Sequence, residues 1–290
     1  MTPSHYVAYE RSVRILLTGA SGGLGRAFQA HVPAHHEVHA HDHATLDIGD
    51  YDAVMQTVPS AEPDAIFNFA AFTAVDANQS DPSRAVRDNA MGPQNLALAA
   101  KAVGAALLHV STDYVFDGTK GVAYDELDTP RPLNVYGRAK LAGEEHVRSL
   151  APQHLIVRVG YVFGSGTDFL SGAARELAAG NSVGGIKDAI GTPTFVRDIA
   201  ARLLPLLLSR RWGTYHLASP TACSWFEVLT RLKAIGNLPG SVHPQLMAEL
   251  GRPAPRPADS SLTSVYLDHV GIEPIPVLED TLPRFLEALR

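Results

Sequence analysis

The sequence has little of what disulfide-linked or membrane-spanning proteins require. Its 290 residues include one cysteine, Cys223, so no intrachain disulfide can form and a reducing cytoplasm is the expected location. The best apolar stretch, Leu203 to Leu208, is far too short to span a bilayer. Residues 1–12 carry no apolar signal-peptide core, and we expect them to form a loose N-terminal extension.

The chain also lacks any basic run, and its 24 basic residues are outnumbered by 30 acidic ones. A formal net charge of -6 argues against nucleic acid or an anionic membrane as a partner. We find no metal-binding motif, internal repeat or low-complexity tract. With 46% hydrophobic residues, the chain can form one large domain or two unequal ones.

Apolar runs that alternate with helical patterns predict an α/β fold built on a doubly wound parallel sheet. The predicted strands are Val13–Thr18, Glu37–His41, 64–71 and 105–110. The predicted helices are Leu24–His31, Asp50–Val58, 81–103, Phe169–Ala179, Val196–Leu208 and Trp225–Ile235. Because ligands bind at the carboxyl ends of parallel strands, we expect the functional site where these strands end.

A glycine-rich turn directly follows the first predicted strand. Gly19, Gly22 and Gly25 have a GxxGxxG spacing. Gly19 would allow the tight turn, Gly22 would let the backbone approach a pyrophosphate, and Gly25 would let the next helix pack closely on the sheet. Since this turn joins a strand to a helix at the start of an α/β pattern, it predicts nucleotide binding.

The end of the second strand bears on the choice of cofactor. Asp42 favours NADH, because an acid at this position commonly hydrogen-bonds the ribose hydroxyls, whereas His43 could accommodate the phosphate of NADPH. The choice between NADPH and NADH therefore stays open. His39 and His41 alternate with His43 but have no carboxylate or cysteine partner pattern, so we interpret them as exposed or locally packed.

The residues from Ser111 to Lys140 carry the clearest chemistry. Thr112 ends an apolar strand, and Tyr136 and Lys140 lie four apart on one face of a predicted helix. A hydroxyl, a phenol and an ammonium can together move a proton onto a carbonyl oxygen, with Tyr136 as the general acid. Since a phenol has an ordinary pKa of about 10, we expect the Lys140 ammonium to lower the pKa of Tyr136.

Several motifs together resemble the dTDP-4-dehydrorhamnose reductase family of extended short-chain dehydrogenases/reductases. The matching stretches lie at 18–25, 46–48, 68–76, 110–118, 132–144, 191–194, 216–218, 224–225 and 256–258. The resemblance covers nearly everything after residue 12. It implies a Rossmann-type dinucleotide-binding domain at 13–160. A smaller C-terminal substrate-binding region would occupy 161–290, interleaved with the end of the sheet.

The resemblance implies NADPH- or NADH-dependent reduction of the 4-keto group of a dTDP-linked deoxysugar. The implied catalytic residues are Thr112, Tyr136 and Lys140. The implied cofactor-binding residues are Gly19, Ser21, Gly22, Gly23, Leu24, Gly25, Asp42, Asp47, Ile48, Ala70, Ala71, Phe72, Tyr136 and Lys140. The implied substrate-binding residues are Thr112, Asp113, Tyr161 and Arg256.

Two departures from the family pattern concern the substrate. Tyr161 stands where the family usually has a Trp, although its ring could still stack on a sugar. Asp259 stands where the family usually has an Asn, which adds a negative charge near the expected diphosphate. Arg256 is the candidate for that diphosphate, because a guanidinium suits bidentate phosphate contact. Either departure could mark a different deoxysugar.

Other functions are compatible with the same fold. Sugar-nucleotide dehydratases carry Asp-Glu after the active-site Thr, whereas here Thr112-Asp113 is followed by Tyr114, which disfavours elimination. An epimerase needs largely the same groups as a reductase. The sequence also resembles the non-catalytic regulatory subunit of methionine adenosyltransferase, which would bind cofactor and a partner without turnover. A homodimer is an open expectation, and magnesium, which some reductases of the family use, has no motif here.

Overall fold

The computed structural model describes residues 12–289 of the chain. Its strands are β1 Arg14–Thr18, β2 Glu37–His41, β3 Ala65–Asn68, β4 Ala106–Thr112, β5 His154–Val159, β6 Val162–Phe163, β7 Ser182–Ile186, β8 Ile190–Gly191, β9 Thr194–Phe195, β10 Gly213–His216, β11 Cys223–Ser224 and β12 Ser241–Gln245. Its α-helices are α1 Gly23–Gln29, α2 Tyr51–Ala61, α3 Val75–Ser80, α4 Pro82–Val86, α5 Gly92–Val103, α6 Val135–Leu150, α7 Phe169–Ala178, α8 Val196–Leu208, α9 Trp225–Gly236 and α10 Leu278–Ala288.

Six strands form one parallel sheet in the order β10-β5-β4-β3-β1-β2. Since β1 lies between β2 and β3, the strand order reverses between β1 and β3. In doubly wound sheets, a ligand-binding crevice forms outside the carboxyl ends of the strands at such a point. The predicted doubly wound parallel sheet is confirmed. The edge strand β10 comes from the C-terminal half, while the division of the chain at residue 160 stays a prediction.

Buried apolar side chains cover both faces of this sheet. On one face, Ile15 and Leu17 of β1 belong to a cluster with Phe28 of α1 and Leu203 of α8. On the other face, Leu16 belongs to a cluster with residues of α2, α5 and α6. Successive strand residues point to opposite faces, so an uninterrupted apolar run is what a sheet covered on both sides requires.

The apolar stretch at 203–208 lies in α8, whose buried side chains pack against the sheet beside α1. Its hydrophobicity is therefore accounted for by the core. Within residues 12–289, no helix is long and apolar enough to cross a membrane.

A third apolar cluster holds the C-terminal region together. The rings of Phe163 and Phe195 stack at 5.6 Å, and Phe285 of α10 meets Phe163 edge-on at 5.3 Å. Leu24 and Ala27 of α1 pack against this cluster. The helix that follows the glycine-rich turn is thus shared between the sheet and the C-terminal region.

One predicted helix is interrupted. The pattern indicates a single helix over 81–103, but α4 and α5 are separated by a π-helical turn at Arg87–Met91. Pro93 cannot donate a backbone hydrogen bond to the preceding turn, which favours such a break. The buried Asn89 in this turn accepts the Phe72 N–H at 2.9 Å and donates to the Phe72 carbonyl at 3.0 Å. The turn therefore holds the loop that follows β3.

A buried ion pair joins the sheet to α6. Arg158 of β5 donates to both carboxylate oxygens of Glu144, at 2.9 and 2.6 Å. The two side chains are 3% and 0% exposed. Burial alone would raise the pKa of Glu144, but the hydrogen bonds from Arg158 hold it below its ordinary value. The pair thereby fixes the helix that carries Tyr136 and Lys140.

We expect Glu144→Ala to lower the free energy of unfolding by about 3–5 kcal/mol, because it leaves a buried guanidinium without its partner. The matched control is Glu279→Ala, which removes the exposed pair with Arg231 and should cost less than about 1 kcal/mol. Denaturant titrations would measure both losses. Equal losses in the two variants would contradict a stabilising role for the buried pair.

The same pair predicts a pH dependence of stability. A carboxyl whose folded-state pKa is depressed stabilises the fold above its unfolded pKa of about 4.3. That contribution is lost as the pH falls through the folded-state value. The difference in unfolding free energy between the native chain and Glu144→Ala should therefore narrow in acid.

Candidate active site

The backbones of the glycine-rich turn and of the loop after β3 are in close contact at the carboxyl ends of β1 and β3. Gly19 leaves β1 with φ +69°, and a Cβ there would lie 2.6 Å from the Ala70 nitrogen. A Cβ on Gly25 would lie 2.4 Å from the Gly19 carbonyl oxygen. Only glycine fits either position, because each would otherwise clash with backbone. Ala71 and Phe72 continue this loop and are half-buried.

The start of α1 is suited to an anion. Its N-cap residue, Gly22, supplies no side-chain cap, and the first turn contains no acid. The free N–H groups and the positive end of the helix can therefore meet a pyrophosphate. Ser165 lies against Gly23, where a Cβ would be 2.3 Å from the Ser165 Cβ, and its carbonyl accepts from Arg26 at 3.1 Å. These residues fit a dinucleotide laid across the turn.

The predicted adenosine contacts are partly engaged within the chain. Asp42 follows β2, and its Oδ1 accepts the N–H groups of Ala44 and Thr45 at 3.0 and 3.1 Å. Asp47 is paired with Arg87. The Ile48 side chain is buried, 5% exposed. Their roles in cofactor binding stay predictions.

The start of α6 lies against the end of β4. Asn134 caps this helix by accepting the Gly137 N–H at 2.8 Å. A Cβ on Gly137 would lie 2.1 Å from the Tyr114 carbonyl oxygen, so the helix and the 3-10 turn at Asp113–Val115 touch through backbone. The rings of Tyr114 and Tyr136 lie 6.0 Å apart. This contact brings the Tyr136 phenol to the carboxyl end of β4.

Thr112, Asp113 and Tyr136 form one buried polar group. The Thr112 hydroxyl donates to Asp113 Oδ1 at 2.9 Å, and Ser260 donates to Oδ2 at 2.5 Å. Burial raises the pKa of Asp113 to about 6 in spite of these hydrogen bonds. Burial also raises the pKa of Tyr136, and a hydrogen bond with Thr112 offsets only part of that rise.

The prediction that Lys140 lowers the pKa of Tyr136 is wrong, because desolvation of the phenolate dominates. The Lys140 amine instead faces β4, where it donates to the Val110 carbonyl at 2.6 Å and lies 3.3 Å from His109 Nε2. Burial lowers the pKa of Lys140 to about 8, against the opposing charge of Glu144. The site thus combines a phenol that keeps its proton with an amine that releases one readily.

Tyr161 belongs to an aromatic wall beside this polar group. Its backbone is left-handed, with φ +45°, and its ring stacks on Trp225 at 4.9 Å and an interplanar angle of 2°. Phe169 meets Trp225 edge-on at 5.1 Å. Burial raises the pKa of Tyr161, and the nearby charge of Asp113 adds to that rise. The wall and the Asp113 carboxyl therefore lie near each other.

Arg256, the predicted phosphate ligand, is already paired. It donates to both carboxylate oxygens of Asp76, at 3.0 and 2.8 Å, and its hydrogen bonds lower the pKa of Asp76 to about 2. Its side chain is 9% exposed, whereas Arg252, which also contacts Asp76, is 46% exposed. Arg252 is the more accessible guanidinium. The Asp259 carboxylate accepts the Ser261 N–H at 2.9 Å.

Three residues of this site were missed by the sequence prediction: His109, Trp225 and Ser260. A histidine inside an otherwise apolar strand was the available signal for His109. Trp225 belonged to a matching Ser-Trp motif but was not assigned a role. Nothing local marks Ser260, which reaches Asp113 from 147 positions away. Among residues 12–289, no group of three or more His, Cys, Asp or Glu could hold a metal ion.

Comparisons with known proteins agree over nearly the whole chain. A family model described as RmlD substrate binding domain matches residues 13–290. A dTDP-4-dehydrorhamnose reductase of Mycolicibacterium smegmatis is 38% identical over 269 residues, which cover 90% of this chain and 81% of that protein. The crystal structure of dTDP-4-dehydrorhamnose reductase from Bacillus anthracis in complex with NADP superposes with a TM-score of 0.92 at 34% identity. It covers 96% of this chain and 99% of the other.

We expect Gly137→Ala to destabilise the protein and to reduce its activity, because the new methyl group would push α6 away from the Tyr114 carbonyl. The matched control is Gly172→Ala in α7, where a Cβ meets nothing within 4 Å. That control should gain about 0.5–1 kcal/mol from the better helix former. Melting temperatures would measure both changes, and a stabilised Gly137→Ala would refute the backbone contact.

Proposed function

We propose, because this chain belongs to the RmlD substrate binding domain family, that it is an NAD(P)H-dependent reductase. Its substrate would be a dTDP-linked deoxysugar with a 4-keto group. The observation that carries the proposal is the position of Thr112, Tyr136 and Lys140 beside the crevice between β1 and β3. A crevice of this kind binds dinucleotides in doubly wound sheets.

Ketone reduction needs a hydride on carbon and a proton on oxygen. The bound nicotinamide supplies the hydride. Tyr136 gives its proton to the ketone oxygen. Because burial raises the pKa of this phenol, it carries that proton at neutral pH. Thr112 turns its hydroxyl, which donates to Asp113 at rest, toward the developing alkoxide and stabilises it.

Different residues of the chain bind the cofactor and the substrate. The glycine-rich turn and the start of α1 hold the pyrophosphate of NADPH or NADH, while Lys140 holds the nicotinamide ribose. Asp113 accepts a sugar hydroxyl, and Tyr161 forms the wall of the sugar pocket. Arg256, with Arg252 beside it, meets the diphosphate. A homodimer and a cytoplasmic location remain part of the proposal.

Tyr114 favours reduction over elimination of water. Its phenol stands next to Asp113, where a dehydratase carries a second acid. Burial raises the pKa of Tyr114 to about 12, which makes it a poor replacement for a carboxyl group in elimination. The buried phenol instead packs edge-on against Tyr136.

The test is oxidation of NADPH and of NADH by the purified chain, each with dTDP-4-keto-6-deoxyhexoses. The proposal requires one cofactor oxidised per sugar reduced. An epimerase would change the sugar without net consumption of cofactor. Cofactor binding without turnover, together with co-purification of a partner enzyme, would favour a regulatory subunit and refute the reductase proposal.

We expect Tyr136→Phe to lower kcat by about 10²- to 10⁴-fold, because the general acid is lost. Cofactor affinity, measured by fluorescence titration, should hardly change. The matched control is Tyr124→Phe, which removes another buried phenol, one that donates to Asp117 at 2.7 Å. That control should keep its turnover. A Tyr136→Phe variant with most of its activity would show that the proton comes from elsewhere.

We expect kcat/KM for reduction to have a bell-shaped pH profile. It should rise as the Asp113 carboxyl ionises through its pKa of about 6 and fall as the Lys140 ammonium loses its proton near 8. Asp113→Asn should remove the acid limb alone. A profile that stays flat up to about pH 10 would rule out an ionising Lys140.

A further inference from the structure

Four buried polar side chains form a continuous chain from the glycine-rich turn to Lys140. The Thr18 hydroxyl donates to Asn68 Oδ1 at 2.8 Å, and Asn68 Nδ2 lies 2.9 Å from His109 Nδ1. His109 Nε2 then lies 3.3 Å from Lys140 Nζ. All four residues are at most 2% exposed. The register of β1, β3 and β4 pairs Thr18 with Asn68 and Asn68 with His109, so strand pairing itself builds the chain.

One backbone N–H fixes the direction of these hydrogen bonds. The Ala70 N–H donates to Asn68 Oδ1 at 3.2 Å, and an N–H cannot accept in return. The amide oxygen of Asn68 must therefore face Ala70, and its NH₂ group must face His109. His109 Nδ1 is then an acceptor, so the hydrogen of the neutral imidazole sits on Nε2. Burial, and then the Lys140 charge, lower the pKa of His109 far below its ordinary value, which keeps the ring neutral.

The Nε2–H of His109 consequently points at the amine of Lys140. An ammonium has only N–H donors, so it would repel the Nε2–H donor of His109. A neutral amine has a lone pair that accepts this hydrogen bond. The Val110 carbonyl accepts one amine hydrogen on the other side, at 2.6 Å. We propose that His109 is a positioning residue that holds Lys140 through its Nε2–H and favours the amine over the ammonium. This inference deepens the proposed function, on which its catalytic consequence rests.

The titratable and charged groups around Lys140 other than His109 affect its protonation differently. Tyr136 and Glu144 lie one turn away on either side along α6, and the Glu144 charge favours the ammonium. Arg158 from β5 and Arg148 from α6 both pair with that carboxylate and weaken its effect. His109 is the group from β4. Because its Nε2–H opposes the ammonium, His109 lowers the pH at which Lys140 loses its proton, toward neutral.

The tautomer of His109 can be read without any substrate. In the ¹⁵N-histidine-labelled native protein, long-range ¹H–¹⁵N correlation spectra should give His109 the pattern of a neutral ring protonated at Nε2. The His109→Gln variant assigns the signal by its disappearance. A ring protonated at Nδ1, or an imidazolium at neutral pH, would overturn the proposal. Because this readout needs no turnover, it stands or falls separately from the reductase activity.

His109→Gln tests the consequence for Lys140. The glutamine amide can turn its oxygen toward Nζ and accept from the ammonium. We expect the pKa of Lys140, followed by ¹³Cε NMR, and the alkaline limb of kcat/KM both to rise by about one unit. The matched control is His36→Gln, which removes a buried imidazole that accepts the Val13 N–H at 3.1 Å, next to the amino end of β1. If His109→Gln and His36→Gln lose equal stability and the alkaline limb of kcat/KM does not move, His109 has only a packing role. That result would refute the proposal.

Asn68→Asp provides a second variant in case His109→Gln does not fold. A carboxylate in place of the amide would draw the imidazole hydrogen to Nδ1 and leave an Nε2 lone pair facing Lys140. The pKa of Lys140 should again rise, and the His109 spectrum should change to the Nδ1–H pattern. A changed tautomer with an unshifted Lys140 would contradict the proposed coupling.

Discussion

The close backbone contact between α6 and the turn after β4 is the constraint on which the site depends. Gly137 meets the Tyr114 carbonyl where no side chain would fit, and the Asn134 cap starts the helix at that point. The buried pair of Arg158 with Glu144 then fixes the same helix from the β5 side. Two independent attachments thus fix the helix that carries Tyr136, in addition to the contacts of the phenol with Thr112 and Tyr114.

The sheet was predictable because each strand satisfies one local rule. Apolar runs that end in small or polar residues predicted the alternating strands and helices of an α/β fold, and the bounds of β2 and α8 match the prediction. The π-helical turn at Arg87–Met91 was not predictable. It depends on hydrogen bonds between Asn89 and Phe72, a loop residue 17 positions earlier, and helical periodicity contains no information on such contacts.

The candidate site was predictable in its residues and less so in their electrostatics. Spacing alone puts Tyr136 and Lys140 on one helix face, but it says nothing of burial, which decides the pKa of both groups. Arg256 was chosen for its chemistry. Its partner, Asp76, lies 180 positions away and could be found only once the chain was folded.

Under the proposed function, the stack of Tyr161 on Trp225 lies apart from the groups that carry out the chemistry and forms the wall of the sugar pocket. The groups proposed to handle protons come from β4 and α6, whereas the aromatic wall is made by Tyr161, between β5 and β6, and by the first turn of α9. Changes at the start of α9 can therefore reshape the wall while the acid and the amine stay in place. Under the proposed function, such changes would alter the preferred sugar one contact at a time, without disturbing the residues that transfer the proton.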